Sequence, residues 1–181
     1  LREERIGPLH IGLGEKEAIA AIPCPVSRGK ETFLEATDDY GQKLSFPACG
    51  VELDVVSSGK GEAKSVTAIV ISQPSQLATS RGIRVGSSEE EVLEAYQPFL
   101  DRSATRRGKT IVAGSIYGGL IISIAQGKVS EIFLGAVAIF LDKPFHIGDR
   151  IKVESVEGVV ETIGLRSTRV RNLDGHLVTI P

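Results

Sequence analysis

The residues that could carry chemistry are two cysteines, three histidines and a run of glutamates. His10, His146 and His176 lie far apart along the chain and lack the spacing of metal ligands. Both cysteines lie beside prolines with no histidine nearby, and no Ser/His/Asp arrangement stands out. We therefore predict that the protein is not an enzyme and has no catalytic residues, no metal site and no cofactor.

The cysteines allow two interpretations. Cys24 and Cys49 are 25 residues apart, and each lies among turn-forming residues. A disulfide between them would place this part of the chain in an oxidising compartment, whereas the alternative is two separate buried thiols. The sequence leaves both possibilities open.

Glycine-rich and charged segments have simple structural interpretations. Gly12-Leu13-Gly14 and Gly118-Gly119 are not followed by the Lys-Ser/Thr of a phosphate-binding loop, so we interpret them as turns. The acidic run Glu89–Glu91 suits the first turn of a helix better than a metal site. A formal net charge of −2 makes a broad nucleic-acid surface improbable. Arginines could still form local basic patches, but these strands have no aromatic residues for stacking on bases; they are Arg106, Arg107, Arg166, Arg169 and Arg171.

The 181 residues fit one large domain or two small ones. The first residue is Leu and the chain contains no Met, so we interpret it as a fragment, a processed product or a fusion. No apolar stretch approaches the ~20 residues that span a bilayer. The longest apolar run, Ile132 to Leu141, suits a buried strand or the end of a longer helix.

An internal repeat organises the first three quarters of the chain. The segment 9–19 matches 83–93 at an offset of 74 residues, with a glycine turn followed by an acidic helix start. Ser88 and Glu91 predict a capping box at the second helix. The apolar positions of each copy fall on one helical face; they are Ala18, Ile19 and Ile22, then Val92, Leu93 and Tyr96.

Strand-like segments follow each predicted helix. The clearest hairpin has its turn at Ala125–Lys128, and the loop Ser57–Glu62 takes the equivalent place in the first copy. The polar segment Leu100–Lys109 predicts a mobile loop. The predicted strands are Thr32–Ala36, Gly50–Val56, Ser65–Ser72, Thr110–Gly114, Leu120–Ala125 and Lys128–Leu134.

This pattern predicts an α+β fold in which a helix packs on an antiparallel sheet, twice over. Residues 6–136 resemble the β-lactamase-inhibitor-protein and BamE-like group of envelope proteins, which open with a similar helix entry. That resemblance implies a periplasmic module that binds another protein. We predict domains at 1–80 and 81–137 for the two repeats, and at 138–181 for a separate β segment.

The C-terminal segment predicts four short strands joined by tight turns. Gly148-Asp149, Glu157-Gly158 and Asp174-Gly175 are the predicted turns. The predicted strands are Arg150–Val153, Val159–Ile163, Leu165–Asn172 and Leu177–Ile180. In the third of these strands, Arg169 and Arg171 alternate with Val170, so they should face the opposite side of the sheet.

This segment resembles the Sm-like β domain of MscS-family mechanosensitive channels. The resemblance implies packing and homo-oligomeric assembly around a pore at the cytoplasmic side of the inner membrane, in a protein of ion transport. The chain would then be a fragment or fusion that carries the β domain without pore helices, with membrane association only through parts outside it. The positions that match the family are Pro144, Phe145, Gly148, Asp149, Gly158, Leu165, Arg166, Thr168, Arg171, Asp174, Gly175 and Pro181.

Overall fold

The computed structural model describes most of the chain. The described residues are 4–34, 38–115, 118–135, 148–153, 156–163, 168–172 and 175–180. Within them the protein is mostly antiparallel β-sheet with two short helices. None of the described helices is both long enough and apolar enough to cross a membrane.

The first helix and the strands around it come from residues 5 to 72. The elements are β1 (Arg5–Ile6), β2 (Leu9–His10), α1 (Glu15–Ala21), β3 (Ser27–Arg28), β4 (Thr32–Leu34), β5 (Asp39–Phe46), β6 (Val51–Ser57) and β7 (Ser65–Ser72).

The second helix and the remaining strands follow. They are α2 (Glu89–Tyr96), β8 (Thr110–Ser115), β9 (Gly118–Ala125), β10 (Lys128–Gly135), β11 (Arg150–Val153), β12 (Val156–Ile163), β13 (Thr168–Asn172) and β14 (Leu177–Ile180).

Eight strands form one antiparallel sheet in the order β3-β5-β6-β7-β10-β9-β8, with β4 also paired to β5. The chain returns to the middle of this sheet at β10, which pairs with both β7 and β9. The pairing of β7 with β10 therefore joins the strands before residue 73 to those after residue 109 in one sheet.

Both helices begin against the sheet through equivalent hydrogen bonds. The amide of Gly12 donates to the carbonyl of Val66 at 2.7 Å, and the amide of Gly86 donates to that of Val129 at 2.8 Å. Both glycines have positive φ, a conformation that residues with a Cβ rarely adopt. The glycines thus bring each helix start onto the first residues of β7 and of β10.

The two helices are capped differently. Ser88 accepts a hydrogen bond from the amide of Glu91 at 3.2 Å, and the Glu91 carboxylate accepts one from the amide of Ser88 at 2.6 Å. This is the predicted capping box. Gly14, at the start of α1, provides no side-chain cap.

The hydrophobic core lies between the helices and one face of the eight-stranded sheet. Ala18 and Ile22 of the first helix region and Val92 and Tyr96 of the second are buried, as predicted from their helical spacing. They join sheet residues that point to the same face, among them Leu44, Phe46, Leu53, Ile69, Ile71, Ile111, Leu120, Ile122 and Ile132.

A disulfide between Cys24 and Cys49 connects the chain after α1 to the turn before β6. The two Cα atoms are 6.0 Å apart. The bond closes a loop whose ends are 25 residues apart, so it restricts the unfolded chain.

The set of predicted strands needs one correction here. The predicted strands do not include β5, an eight-residue strand, because D-Y-G-Q-K-L-S-F offers few apolar residues. The segment Leu100–Lys109, for which we predict a mobile loop, consists of turns that have hydrogen bonds of their own. Asp101 Oδ1 accepts from the amides of Ser103 and Ala104 at 2.9 and 3.1 Å, and Leu100 forms an isolated bridge to Ala113.

Candidate assembly surface of the C-terminal sheet

The four C-terminal strands form a separate antiparallel sheet in the order β11-β12-β13-β14. The predicted strands Arg150–Val153 and Leu177–Ile180 are confirmed. The amide of Gly148 donates to the carbonyl of Val160 at 2.8 Å, and the amide of Val160 donates to that of Asp149 at 2.9 Å. The Gly148-Asp149 segment therefore extends the pairing of β11 with β12.

Gly158 lies inside β12, and the prediction of a turn at Glu157-Gly158 is wrong. The strand runs over Val156–Ile163, and Gly158 faces Asn172 of β13. A Cβ atom at Gly158 would lie 2.1 Å from the carbonyl oxygen of Arg171, closer than any real contact. The glycine is required because the backbone of β13 comes very close to it, which its sequence neighbours do not reveal.

The two faces of this sheet differ in character. Val160 and Val170, which pair across β12 and β13, are almost completely buried. Arg169 and Arg171 are exposed, as their alternation with Val170 predicts.

One row of paired residues crosses all four strands on the exposed face. Arg150 pairs with Val159, Val159 with Arg171, and Arg171 with Leu177. We call these four residues the assembly row. Val159 is 41% and Leu177 46% exposed, and they are two of the four large exposed hydrophobic residues found in the described structure.

Ion pairs hold the two arginines of the assembly row. Arg171 forms a bidentate pair with Glu161, one arm of which joins Nη2 to Oε2 at 3.0 Å, and it also donates to the carbonyl of Gly175 at 2.7 Å. Arg150 lies 2.9 Å from Glu157. The hydrogen bond from Arg171 lowers the pKa of Glu161 and raises that of Arg171 itself. Because fork-shaped pairs have one geometry, Arg171 is held in place between the two exposed apolar residues.

The predicted family positions are only partly within the described residues. Gly175 has positive φ in the turn between β13 and β14, and Thr168 begins β13. Those that lie outside the described residues are Pro144, Phe145, Leu165, Arg166, Asp174 and Pro181. Sequence reasoning singled out Arg171 but missed Val159 and Leu177, because only the strand register shows that they share a row with it.

The described residues contain no group of three or more His, Cys, Asp or Glu side chains that could hold a metal ion. The exposed face of this sheet presents apolar and charged side chains, and its four strands are paired to one another.

Comparison with known proteins shows what kind of sheet this is. The β-domain family of mechanosensitive ion channels matches residues 128–181. The C-terminal segment is an MscS-family β domain. This family consists of ion channels and performs no enzymatic chemistry. No solved structure matches the chain.

Several channel proteins resemble this part of the chain. The small-conductance mechanosensitive channel MscMJ of Methanocaldococcus jannaschii is 44% identical over 71 residues, which is 39% of this chain and 20% of that protein. The large-conductance channel MscMJLR of the same organism is 42% identical over 74 residues, 40% of this chain and 20% of that protein. An uncharacterised MscS-family protein, YhdY of Bacillus subtilis, is 44% identical over 70 residues, 39% of this chain and 19% of that protein. The chain thus spans about a fifth of the length of these relatives.

The family match begins ten residues before the boundary that we predicted at residue 138. It starts at Lys128 and so includes β10, the strand at the centre of the eight-stranded sheet. β10 is therefore shared between the sequence that matches the MscS β domain and the sheet built by the residues before it.

Proposed function

We propose that the C-terminal sheet serves the assembly of subunits in an MscS-type channel. The assembly row carries this proposal, because two large apolar side chains are exposed on a sheet whose other face is already packed. MscS channels are oligomers, and a second copy of this chain is the partner that would cover the row. The ion-paired Arg171 between the two apolar residues would fix the orientation of that contact.

Substitution of the two apolar residues tests the proposal. We expect Val159→Lys with Leu177→Lys to shift the full chain from an oligomer to a monomer in sedimentation velocity, since lysines would be buried without partners. The matched control is Ile11→Lys with Phe33→Lys, the other two large exposed hydrophobic residues, at 44% and 48% exposure. An unchanged sedimentation coefficient in the first variant, with its thermal unfolding intact, would overturn the proposal.

We infer that residues 1–137 contain a duplicated helix–sheet unit, because the two helices have equivalent positions on the sheet. The equivalent hydrogen bonds of Gly12 and Gly86 support two matching helix–sheet units. We place the boundaries of these units at 1–80 and 81–137, as the sequence predicts. In this scheme the units meet at β7 and β10.

A second candidate function is a protein-binding module of the cell envelope, located in residues 6–136. The disulfide between Cys24 and Cys49 favours it, because such bonds persist in oxidising compartments such as the periplasm. To test this location, the protein is recovered from periplasm and from cytosol. Alkylation followed by mass measurement, with and without reductant, then shows whether Cys24 and Cys49 are bonded in each sample. Two free thiols in the periplasmic protein would contradict it.

A further inference from the structure

One side chain on the exposed face of the C-terminal sheet connects three strands. Nε and Nη2 of Arg171, on β13, donate to the two carboxylate oxygens of Glu161 on β12. Nη1 of Arg171 donates to the carbonyl of Gly175, in the turn that leads into β14, at 2.7 Å. Each nitrogen of the guanidinium thus has an acceptor within the subunit. We call Glu161, Arg171 and Gly175 the arginine clamp.

The arginine clamp links the segments that carry the two apolar residues of the assembly row. Val159 lies two residues before Glu161 on β12, and Leu177 lies two residues after Gly175. Arg171 is the strand-register partner of both apolar residues. Because neighbouring strands are ~4.8 Å apart, Val159 and Leu177 are separated by about 10 Å with Arg171 between them.

The strand that carries Leu177 lies at an edge of the sheet. β14 is four residues long and, among the described strands, pairs only with β13. The side-chain oxygen of Asn172 accepts from the amide of His176 at 2.8 Å, and the amide of Asn172 donates to the carbonyl of His176 at 2.9 Å. These bonds hold the turn to β13, whereas the arginine clamp connects it directly to β12. The position of Leu177 relative to Val159 therefore depends on the clamp.

A second ion pair on the same face makes no such connection. Arg150 lies 2.9 Å from Glu157, which is two residues before Val159 just as Glu161 is two residues after it. This pair joins β11 to β12 and does not extend to β14. Single exposed ion pairs contribute little to stability. Arg150 and Glu157 therefore provide a matched control within the same sheet.

We propose that Glu161 and Arg171 are positioning residues for subunit assembly. The arginine clamp holds Leu177 at a fixed distance from Val159, and it leaves the aliphatic stem of Arg171 to bridge the two apolar residues against the neighbouring copy. A fork-shaped pair has one geometry, and a surface whose parts are fixed in advance loses less entropy when it binds. This inference rests on the proposed assembly function.

A direct charge contact between Arg171 and the neighbouring copy is the alternative role. It fits less well, because every nitrogen of the guanidinium already donates within its own subunit. The two roles predict opposite effects when Glu161 loses its charge. Loss of that charge weakens assembly if Arg171 is a positioning residue, whereas a direct contact would be unaffected or strengthened by it.

Sedimentation velocity of the full chain over a concentration series tests the proposal. Glu161→Gln keeps the size of the side chain and removes its charge, so we expect the concentration of half-assembly to rise roughly tenfold or more. Glu157→Gln is the same substitution on the other side of Val159, and it should change that concentration by about twofold at most. Unchanged or tighter assembly of the Glu161→Gln chain would overturn the proposal.

A second pair of variants separates geometry from charge. Arg171→Lys keeps the positive charge but cannot form the fork, so we expect it to weaken assembly as much as Glu161→Gln does. Arg150→Lys is its control and should assemble like the wild-type chain. Normal assembly of the Arg171→Lys chain would show that charge alone is sufficient and would contradict the positioning role.

Hydrogen exchange at the amides of β12 and β13 distinguishes positioning from folding. We expect the Glu161→Gln and Arg171→Lys chains to keep the protection of the wild-type sheet while they lose assembly. Protection that falls together with assembly would make the clamp a folding element and overturn the proposal. A wild-type chain that stays monomeric would remove the proposed function and the clamp's role with it, whereas a wild-type oligomer with unaffected variants would remove only the clamp's role.

Discussion

Phe133 and Val70 lie opposite each other on the two central strands of the eight-stranded sheet. The pairs on either side are Ile132 with Ile71 and Leu134 with Ile69, and adding 63 to positions 69, 70 and 71 gives 132, 133 and 134. Val66 and Val129, which accept the equivalent hydrogen bonds from Gly12 and Gly86, differ by the same 63. Equivalent strands of the two proposed units therefore meet around an approximate two-fold axis at Phe133 and Val70.

The close approach at Gly158 predicts a large effect of a small substitution. Gly158→Ala should destabilise the C-terminal sheet by about 3 kcal/mol or more, since its Cβ would overlap the Arg171 carbonyl and force β12 and β13 apart. Hydrogen exchange at the amides of β12 and β13 measures this. Gly175→Ala is the control: its positive φ is strained but its Cβ would meet nothing, so a cost of about 1 to 2 kcal/mol is expected. Equal protection in both variants would contradict the packing described.

The capping box predicts a difference between two substitutions at Ser88. Ser88→Ala should lower the free energy of unfolding by about 1 kcal/mol, because the amide of Glu91 loses its acceptor. Ser88→Gly should cost less, about a few tenths of a kcal/mol relative to Ser. Urea unfolding measures both, and the same stability for Ala and the wild-type residue would show that the cap does not stabilise α2.

The disulfide predicts a loss of stability on reduction. Cys24→Ser with Cys49→Ser should lower the free energy of unfolding by about 3 kcal/mol, as expected for a closed loop of this length. Urea unfolding of the wild-type chain with reductant should give a similar value, and reductant should leave the double variant unaffected. A wild-type chain whose unfolding is insensitive to reductant would contradict this expectation.

Removing the charge of Asp54 should increase the free energy of unfolding, by an amount that depends on pH. Burial raises the pKa of this carboxyl, an effect that nearby Lys43 opposes. The folded protein therefore holds the Asp54 proton more tightly than the unfolded chain, and ionisation costs stability as pH rises through the raised pKa. Asp54→Asn should be more stable than wild type at pH 7, with the gain vanishing below about pH 4, where both states are protonated. Urea unfolding across this range measures it, and a variant less stable at pH 7 would show that attraction to Lys43 dominates.

Local patterns predicted much of this structure because they depend on neighbours in sequence. Ser88 and Glu91 are three residues apart, and the turn before Lys128 lies between two apolar runs, so both could be identified directly. The pairing of β10 with both β7 and β9 could not be identified from the sequence, because β7 ends more than fifty residues earlier in the chain. The requirement for Gly158 and the alignment of Val159 with Leu177 similarly depend on strand register.

Native mass spectrometry of the full chain tests the central claim, that the C-terminal sheet assembles subunits, most directly. We predict one closed oligomer larger than a dimer, held by contacts across Val159 and Leu177. A chain that remains monomeric at every concentration, with its C-terminal sheet folded by hydrogen exchange, would contradict the claim.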